Sequence, residues 1–163
     1  MKALQLIFIC AGAICAESVV AQTCAAPAPW NPQPSGVPPV VADLCAASEE
    51  VALYCDFLDS AGKNDAIWQI SLVDGFTATS VDVQGAAAGF NPVIYLYTAA
   101  CSTGGGCFET GSVGAPLNLA GAPAGDYFLA ASAGPSDAAG ACGTVAIATD
   151  GWLPVSLQSF SVD

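Results

Sequence analysis

In 163 residues the chain carries 14 acidic side chains, two basic ones and no histidine, for a formal net charge of −12. Such a charge repels nucleic acid and anionic lipid, and without histidine neither a Ser-His-Asp nor a Cys-His catalytic arrangement can be assembled. Charged residues are only 10% of the chain, against about 25% in a typical protein. Alanine, glycine, serine and threonine fill the difference, so the hydrophobic fraction of 54% does not signal a membrane protein.

Met1 and Lys2 open the chain ahead of an apolar run from Ala3 to Ala16, and polarity returns at Glu17 and Ser18. A bilayer crossing needs about 20 apolar residues, so this shorter run reads as an export signal, with cleavage expected before Gln22 and a second candidate site after Ala16. Ile9, Ile14 and Thr23 precede Cys10, Cys15 and Cys24, where a lipid-modified cysteine requires a small residue. The expected organisation is therefore a signal over 1–21, a leader over 22–41, a single domain over 42–151 and a tail over 152–163. Removing the signal takes Lys2 and Glu17 with it and leaves Lys63 as the one base against 13 acids.

The leader holds six prolines between Pro27 and Pro39 and too few periodic apolar residues for a strand or helix, which predicts a semi-rigid linker. From Asp43 to Tyr54 the spacing of Leu44, Ala47, Val51 and Tyr54 suits one or two helical turns or a pair of short strands. After Gly62 the period becomes two: Ala66, Trp68, Ile70 and Leu72 alternate with Ile67, Gln69 and Ser71, the mark of a strand with one face in a core. Asp74 and Gly75 form a turn, and Thr79, Val81 and Val83 repeat the alternation. Asn91 and Pro92 open an apolar central strand over Val93 to Thr98. Further strands are expected at Leu117 and Leu119, from Asp126 to Ala131 and from Thr144 to Thr149. Short strands punctuated by glycine and proline predict an all-β fold, an antiparallel β-sandwich, stabilised by disulfides.

Six cysteines follow the cleavage site, an even number that favours disulfides in an exported chain. They allow 15 connectivities. The flexible run from Ser102 to Gly106 favours Cys101 with Cys107; proximity then suggests Cys45 with Cys55, leaving Cys24 for Cys142. Zinc is disfavoured by the absence of histidine and of close cysteine pairs. Paired carboxylates could in principle hydrolyse glycosides, but nothing in the order of residues builds a sugar cleft, and solvated surface acids explain them.

The segments Asn64-Asp65-Ala66-Ile67-Trp68-Gln69-Ile70, Asn91-Pro92-Val93-Ile94-Tyr95-Leu96-Tyr97 and Pro123-Ala124-Gly125-Asp126-Tyr127-Phe128-Leu129, in this order and flanking Cys101 and Cys107, resemble the bacterial pre-peptidase C-terminal domain over about residues 43 to 149. The resemblance implies a β-sandwich of jelly-roll type, usually accessory to secreted peptidases or other exported enzymes, related to collagen-binding modules and in some relatives calcium-binding. No peptidase domain is expected ahead of it here, and Phe108, Glu109, Thr110 and Gly111 stand where the family has an acidic cluster. A calcium site must then draw on Asp56, Asp59, Asn64 and Asp65; the competing reading is a solvated turn with an Asp capping the strand entry. The last residues, Leu153-Pro154-Val155-Ser156-Leu157-Gln158-Ser159-Phe160-Ser161-Val162, resemble the ending of many exported bacterial proteins, and suit either a sorting or assembly tail or a final edge strand.

These readings lead to a secreted, extracellular or periplasmic, noncatalytic binding module for an extracellular protein, a polysaccharide or a cation. The alternative is a structural subunit of an extracellular filament or surface layer, joined by donated strands. Trp30, Tyr54 and Trp152 are the candidate exposed aromatics, whereas Trp68, Tyr95, Tyr97 and Tyr127 are expected in the core.

Overall fold

The computed structural model describes residues 23–30, 39–51, 53–55, 58–59, 62–98 and 106–151. The signal over 1–21 and the tail over 152–163, with Trp152, lie outside these residues, as do Asp56 and Cys101. The described chain is all-β, a sandwich of two sheets. In the five-stranded sheet the order is β1 (Ala28–Pro29), β5 (Asp65–Leu72), β10 (Gly125–Ala133), β7 (Pro92–Tyr97) and β8 (Cys107–Ser112). The four-stranded sheet runs β2 (Val40–Asp43), β11 (Thr144–Thr149), β6 (Ser80–Ala86) and β9 (Leu117–Asn118). A small pair, β3 (Leu53–Tyr54) with β4 (Leu58–Asp59), stands apart. All described pairings are antiparallel except β1 with β5.

The core forms where the two inner faces meet. Ala66, Trp68, Ile70 and Leu72 of β5 join Ile94 and Leu96 of β7 and Leu129 and Ala131 of β10, facing Val81 and Val83 of β6 and Val145 and Ile147 of β11. This is the alternation expected from the sequence, and burying each large aliphatic side chain stabilises the fold by about 1.5–3 kcal/mol. The five-stranded sheet is also covered on its outer face, where Ile67, Ala130, Tyr95 and Tyr97 pack with Val51 and Cys55. Covered on both sides, β5 is buried at every position from Asp65 to Trp68. Tyr127 closes one end, donating its hydroxyl proton to the Pro123 carbonyl at 2.7 Å, while the ring of Phe108 meets it edge-on at 6.1 Å.

Three sequence expectations are corrected. The proline-rich leader is not a linker throughout: Ala28–Pro29 pairs in parallel with Trp68 and Gln69, the Trp30 N–H donates to the Gln69 carbonyl at 2.9 Å, and Val40 and Val41 belong to β2. Pro29 lacks a donor, which a two-residue edge strand tolerates. Trp30, expected as an exposed aromatic, is 7% exposed and part of the core. From Asp43 to Tyr54 the chain forms a 3₁₀ turn over Leu44–Ala46, capped by Asp43, and then β3.

The third correction concerns the disulfides. Cys45 bonds Cys142 and Cys55 bonds Cys107, each with Cα atoms 4.9 Å apart, so Cys101 with Cys107, Cys45 with Cys55 and Cys24 with Cys142 are all overturned. Sheet register explains the first bond. Asp43 sits opposite Thr144, the Leu44 N–H donates to the Gly143 carbonyl, and one further antiparallel step brings Cys45 opposite Cys142. Cys107, opposite Tyr97 at the start of β8, meets Cys55 in the cluster on the outer face. Cys55 adopts φ 53°, a left-handed conformation that costs a non-glycine residue about 1–2 kcal/mol. Cys24 is also disulfide-bonded, to a cysteine other than these four. Such crosslinks fit an oxidising extracellular or periplasmic compartment. Among the described residues no helix is long and apolar enough to cross a membrane.

Candidate functional site

Where β7 begins and β8 and β10 end, two loops rise beside the outer face of the five-stranded sheet, 113–116 after β8 and 134–137 after β10. Between them lie two adjoining depressions of about 260 and 190 Å³ that share Val93, Ser112 and Pro135. Asn91, Val113 and Ser136 are among the other residues of the first, and Tyr95, Thr110 and Pro116 among those of the second. Register builds this floor, because Val93 is opposite Ser112 and Tyr95 opposite Thr110, all on the face turned away from the inner core. Val113, 57% exposed, stands at the rim. The lining offers methyl groups, prolyl rings, hydroxyls and one amide, and no carboxylate, amine or thiol. Its one titratable group, the Tyr95 phenol, is held neutral: burial first, and then the negative charge of Asp65, push its pKa far above the ordinary value.

The charged groups nearby are spent on holding the wall. The Asp137 carboxylate accepts from the Asn91 N–H at 3.1 Å, the Asn91 side-chain amide at 3.0 Å and the Gly134 N–H at 3.2 Å. Lys63, 5% exposed, donates from Nζ to the Gly134 carbonyl at 2.6 Å. Gly134 lies so close to β7 that a Cβ there would sit 2.4 Å from the Asn91 carbonyl oxygen. Loop 134–137 is thereby held by Asp137 to the start of β7 and by Lys63 to the entry of β5, which preorganises the groove. In the sequence Asn91 and Pro92 stand out as a strand opening and Lys63 only as an isolated base, whereas Gly134 and Asp137 carry no mark beyond the turn signal of the Gly-Pro-Ser-Asp run at 134–137.

Part of the hydrogen-bonding capacity of the edge beside the groove is taken up locally. Ser112 exchanges both backbone hydrogen bonds with Ala115, at 2.7 and 3.0 Å, and the Thr110 N–H donates to the Glu109 carboxylate at 3.0 Å. These are the groups an edge strand would otherwise present to another chain.

Of the four calcium candidates, the structure describes the side chains of Asn64 and Asp65. Asp65 is 1% exposed, and its Oδ2 accepts from the Glu50 N–H at 2.8 Å and the Val51 N–H at 2.9 Å, while its own N–H donates to the Ser48 carbonyl. Asn64 donates its amide to the Leu44 carbonyl at 3.0 Å. Asp65 therefore caps the entry to β5 and ties the 48–51 segment over the outer face. Glu50 extends that tie, accepting from the Cys24 N–H at 3.1 Å and the Ser48 hydroxyl at 2.7 Å. Asp56 and the side chain of Asp59 lie outside the described residues. No grouping of three or more cysteine, aspartate or glutamate side chains suited to a metal occurs among the described residues. Of the candidate aromatics, Trp68, Tyr95, Tyr97 and Tyr127 are buried as expected, and the side chain of Tyr54 lies outside the described residues.

A further carboxylate clamp sits at the start of β6. Asp150 accepts from the Thr79 N–H at 2.7 Å and the Ser80 N–H at 2.9 Å, and from the Thr79 hydroxyl. Desolvation pushes its pKa up, but these hydrogen bonds together outweigh that effect and hold it below the ordinary carboxylate value. No family model matches the chain, and neither the curated proteins nor the solved structures contain a match to it.

Proposed function

We propose that the chain is a secreted, noncatalytic binding module that takes an uncharged ligand or partner segment in the groove between loops 113–116 and 134–137. The observation that carries this reading is the chemistry of the lining. In a chain with 14 acidic residues, the groove walls hold no carboxylate, amine or thiol, so they offer apolar surface and neutral hydrogen-bonding groups rather than an acid, a base or a nucleophile. Anchoring by Lys63 and Asp137 supports it further, because a wall already fixed loses little freedom when a ligand docks. The motif order resembling the pre-peptidase C-terminal domain, with its jelly-roll topology, agrees with a binding role.

The alternative, a structural subunit joined by donated strands, needs an open sheet edge, and the capped donors of β8 and the proline of β1 argue against those two edges. The test is a binding screen of the oxidised protein against neutral polysaccharides, charged polysaccharides and extended peptides, repeated with Ser112→Trp and Val113→Asp. The reading expects binding to uncharged members, lost in both variants with melting temperature unchanged. Binding that survives both variants, or that is confined to charged members, overturns it.

A further inference from the structure

Lysine and arginine together occur twice in this chain, as Lys2 and Lys63. We infer that the folded domain is guarded against proteases of the trypsin class: the one peptide bond they could cut within it, Lys63–Asn64, is sealed by the fold, and the disulfides hold the chain together if that bond is cut. This inference is independent of what the groove binds.

Proteases of this class select a cationic side chain by drawing it into a deep acidic pocket, and they take the chain on both sides of it in extended form. Lys63 meets neither requirement. Its side chain is 5% exposed and its ammonium is turned inward onto the Gly134 carbonyl at 2.6 Å. Before it, the Gly62 carbonyl accepts from the Gly140 N–H at 2.9 Å. After it, Asn64 is tied through its amide to Leu44 and through its carbonyl to the Ser132 hydroxyl, and Asp65 begins β5, which lies between β1 and β10. Presenting Lys63–Asn64 to an active site means stripping the start of a strand covered on both faces. That opening exposes much of the core, so its free energy approaches that of global unfolding.

Hydrolysis adds one water across the Lys63–Asn64 amide, leaving a carboxylate on Lys63 and an amine on Asn64. Cys45 and Cys55 lie before this bond and their partners Cys142 and Cys107 after it. A cut chain therefore remains a single covalent unit until the disulfides that cross the cut are reduced.

The experiment incubates the oxidised protein with trypsin across a urea series, with products resolved before and after reduction. The guard predicts no cleavage in native buffer. It further predicts a cleavage rate that rises with urea in step with the fraction globally unfolded, about tenfold for each 1.4 kcal/mol of stability removed. Before reduction the cut protein should keep its migration as one chain, and after reduction it should separate into two fragments, one beginning at Asn64. Cleavage in native buffer at a rate insensitive to urea would show local exposure of Lys63 and overturn the inference, as would two separate fragments before reduction. Acylation by an amine-reactive ester gives an independent reading. Lys63 should be unlabelled in the folded protein and labelled in urea, and full labelling of the native state equally overturns it.

Discussion

Replacing Asp65 by alanine removes the acceptor that gathers two backbone amides over the outer face of the five-stranded sheet. Val51 is 1% exposed and Glu50 half-buried, and their N–H groups reach Asp65 Oδ2 at 2.9 and 2.8 Å. An amide left without an acceptor costs about 1–3 kcal/mol when buried. Counting Val51 in full and Glu50 in part, D65A should destabilise the protein by about 2–5 kcal/mol. D65N keeps an oxygen but loses the charge that roughly doubles the strength of such bonds, and should lose about 1–2 kcal/mol. Urea unfolding of wild type and both variants measures these losses, in calcium and again in chelator. A clamp predicts the same losses in both conditions, whereas a metal ligand predicts a loss that appears only with calcium. A D65A loss below about 1 kcal/mol, or one dependent on calcium, refutes the reasoning. Tyr95 provides a second readout: burial and the Asp65 charge both raise its pKa, so D65N should lower the phenol titration, with burial alone keeping it above the ordinary value.

Removing the Cys45–Cys142 bond, which spans 97 positions, should cost about 5 kcal/mol in the chain-entropy model, and removing Cys55–Cys107, which spans 52, about 4. Peptide mapping without reduction should recover both crosslinks; a peptide joining Cys101 to Cys107 refutes the map. Gly134→Ala places a methyl group 2.4 Å from the Asn91 carbonyl oxygen and should cost about 1–3 kcal/mol through overpacking, so wild-type stability of this variant in urea would show that the wall yields. The folded-state pKa of Tyr95 is raised, so its stabilising effect is complete below about pH 10 and is lost as pH rises from there toward the folded value. Asp150 has a lowered folded-state pKa, so its effect is complete above about pH 4 and is lost as pH falls. Stability measured against pH should decline at both ends, and Asp150→Asn should flatten the acid limb alone.

Strands whose own side chains carry a period of two were legible in the sequence, and those defined by their neighbours were not. β5, β7 and β11 read directly because Trp68, Ile70, Ile94, Leu96, Val145 and Ile147 line the inner face at every second residue. β8 escaped notice because its inward position opposite Ile94 is Gly111, where a Cβ would lie 2.5 Å from the Leu117 nitrogen. A register shift after Leu96 also inserts Phe108 as an extra residue, breaking the alternation. β1 was hidden by its prolines, since composition marks where a regular strand is disfavoured but not where two residues can pair with an edge already formed.

The disulfides and the groove share one reason for being illegible. Closing the loop between Cys101 and Cys107 costs little chain entropy, and sequence proximity weighs only that cost. The observed bonds instead follow from sheet pairing, which has already brought Cys45 to Cys142 and Cys107 to the outer face, so the entropy of the long loops is met by the core before the sulfurs meet. Asp137 and Lys63 converge on Gly134 for the same reason, from positions on either side of β5, β6 and β7. Lys63 thus reads in the sequence as an isolated charge on a loop, and only the pairing of β5, β10 and β7 turns it into the inner anchor of the groove wall.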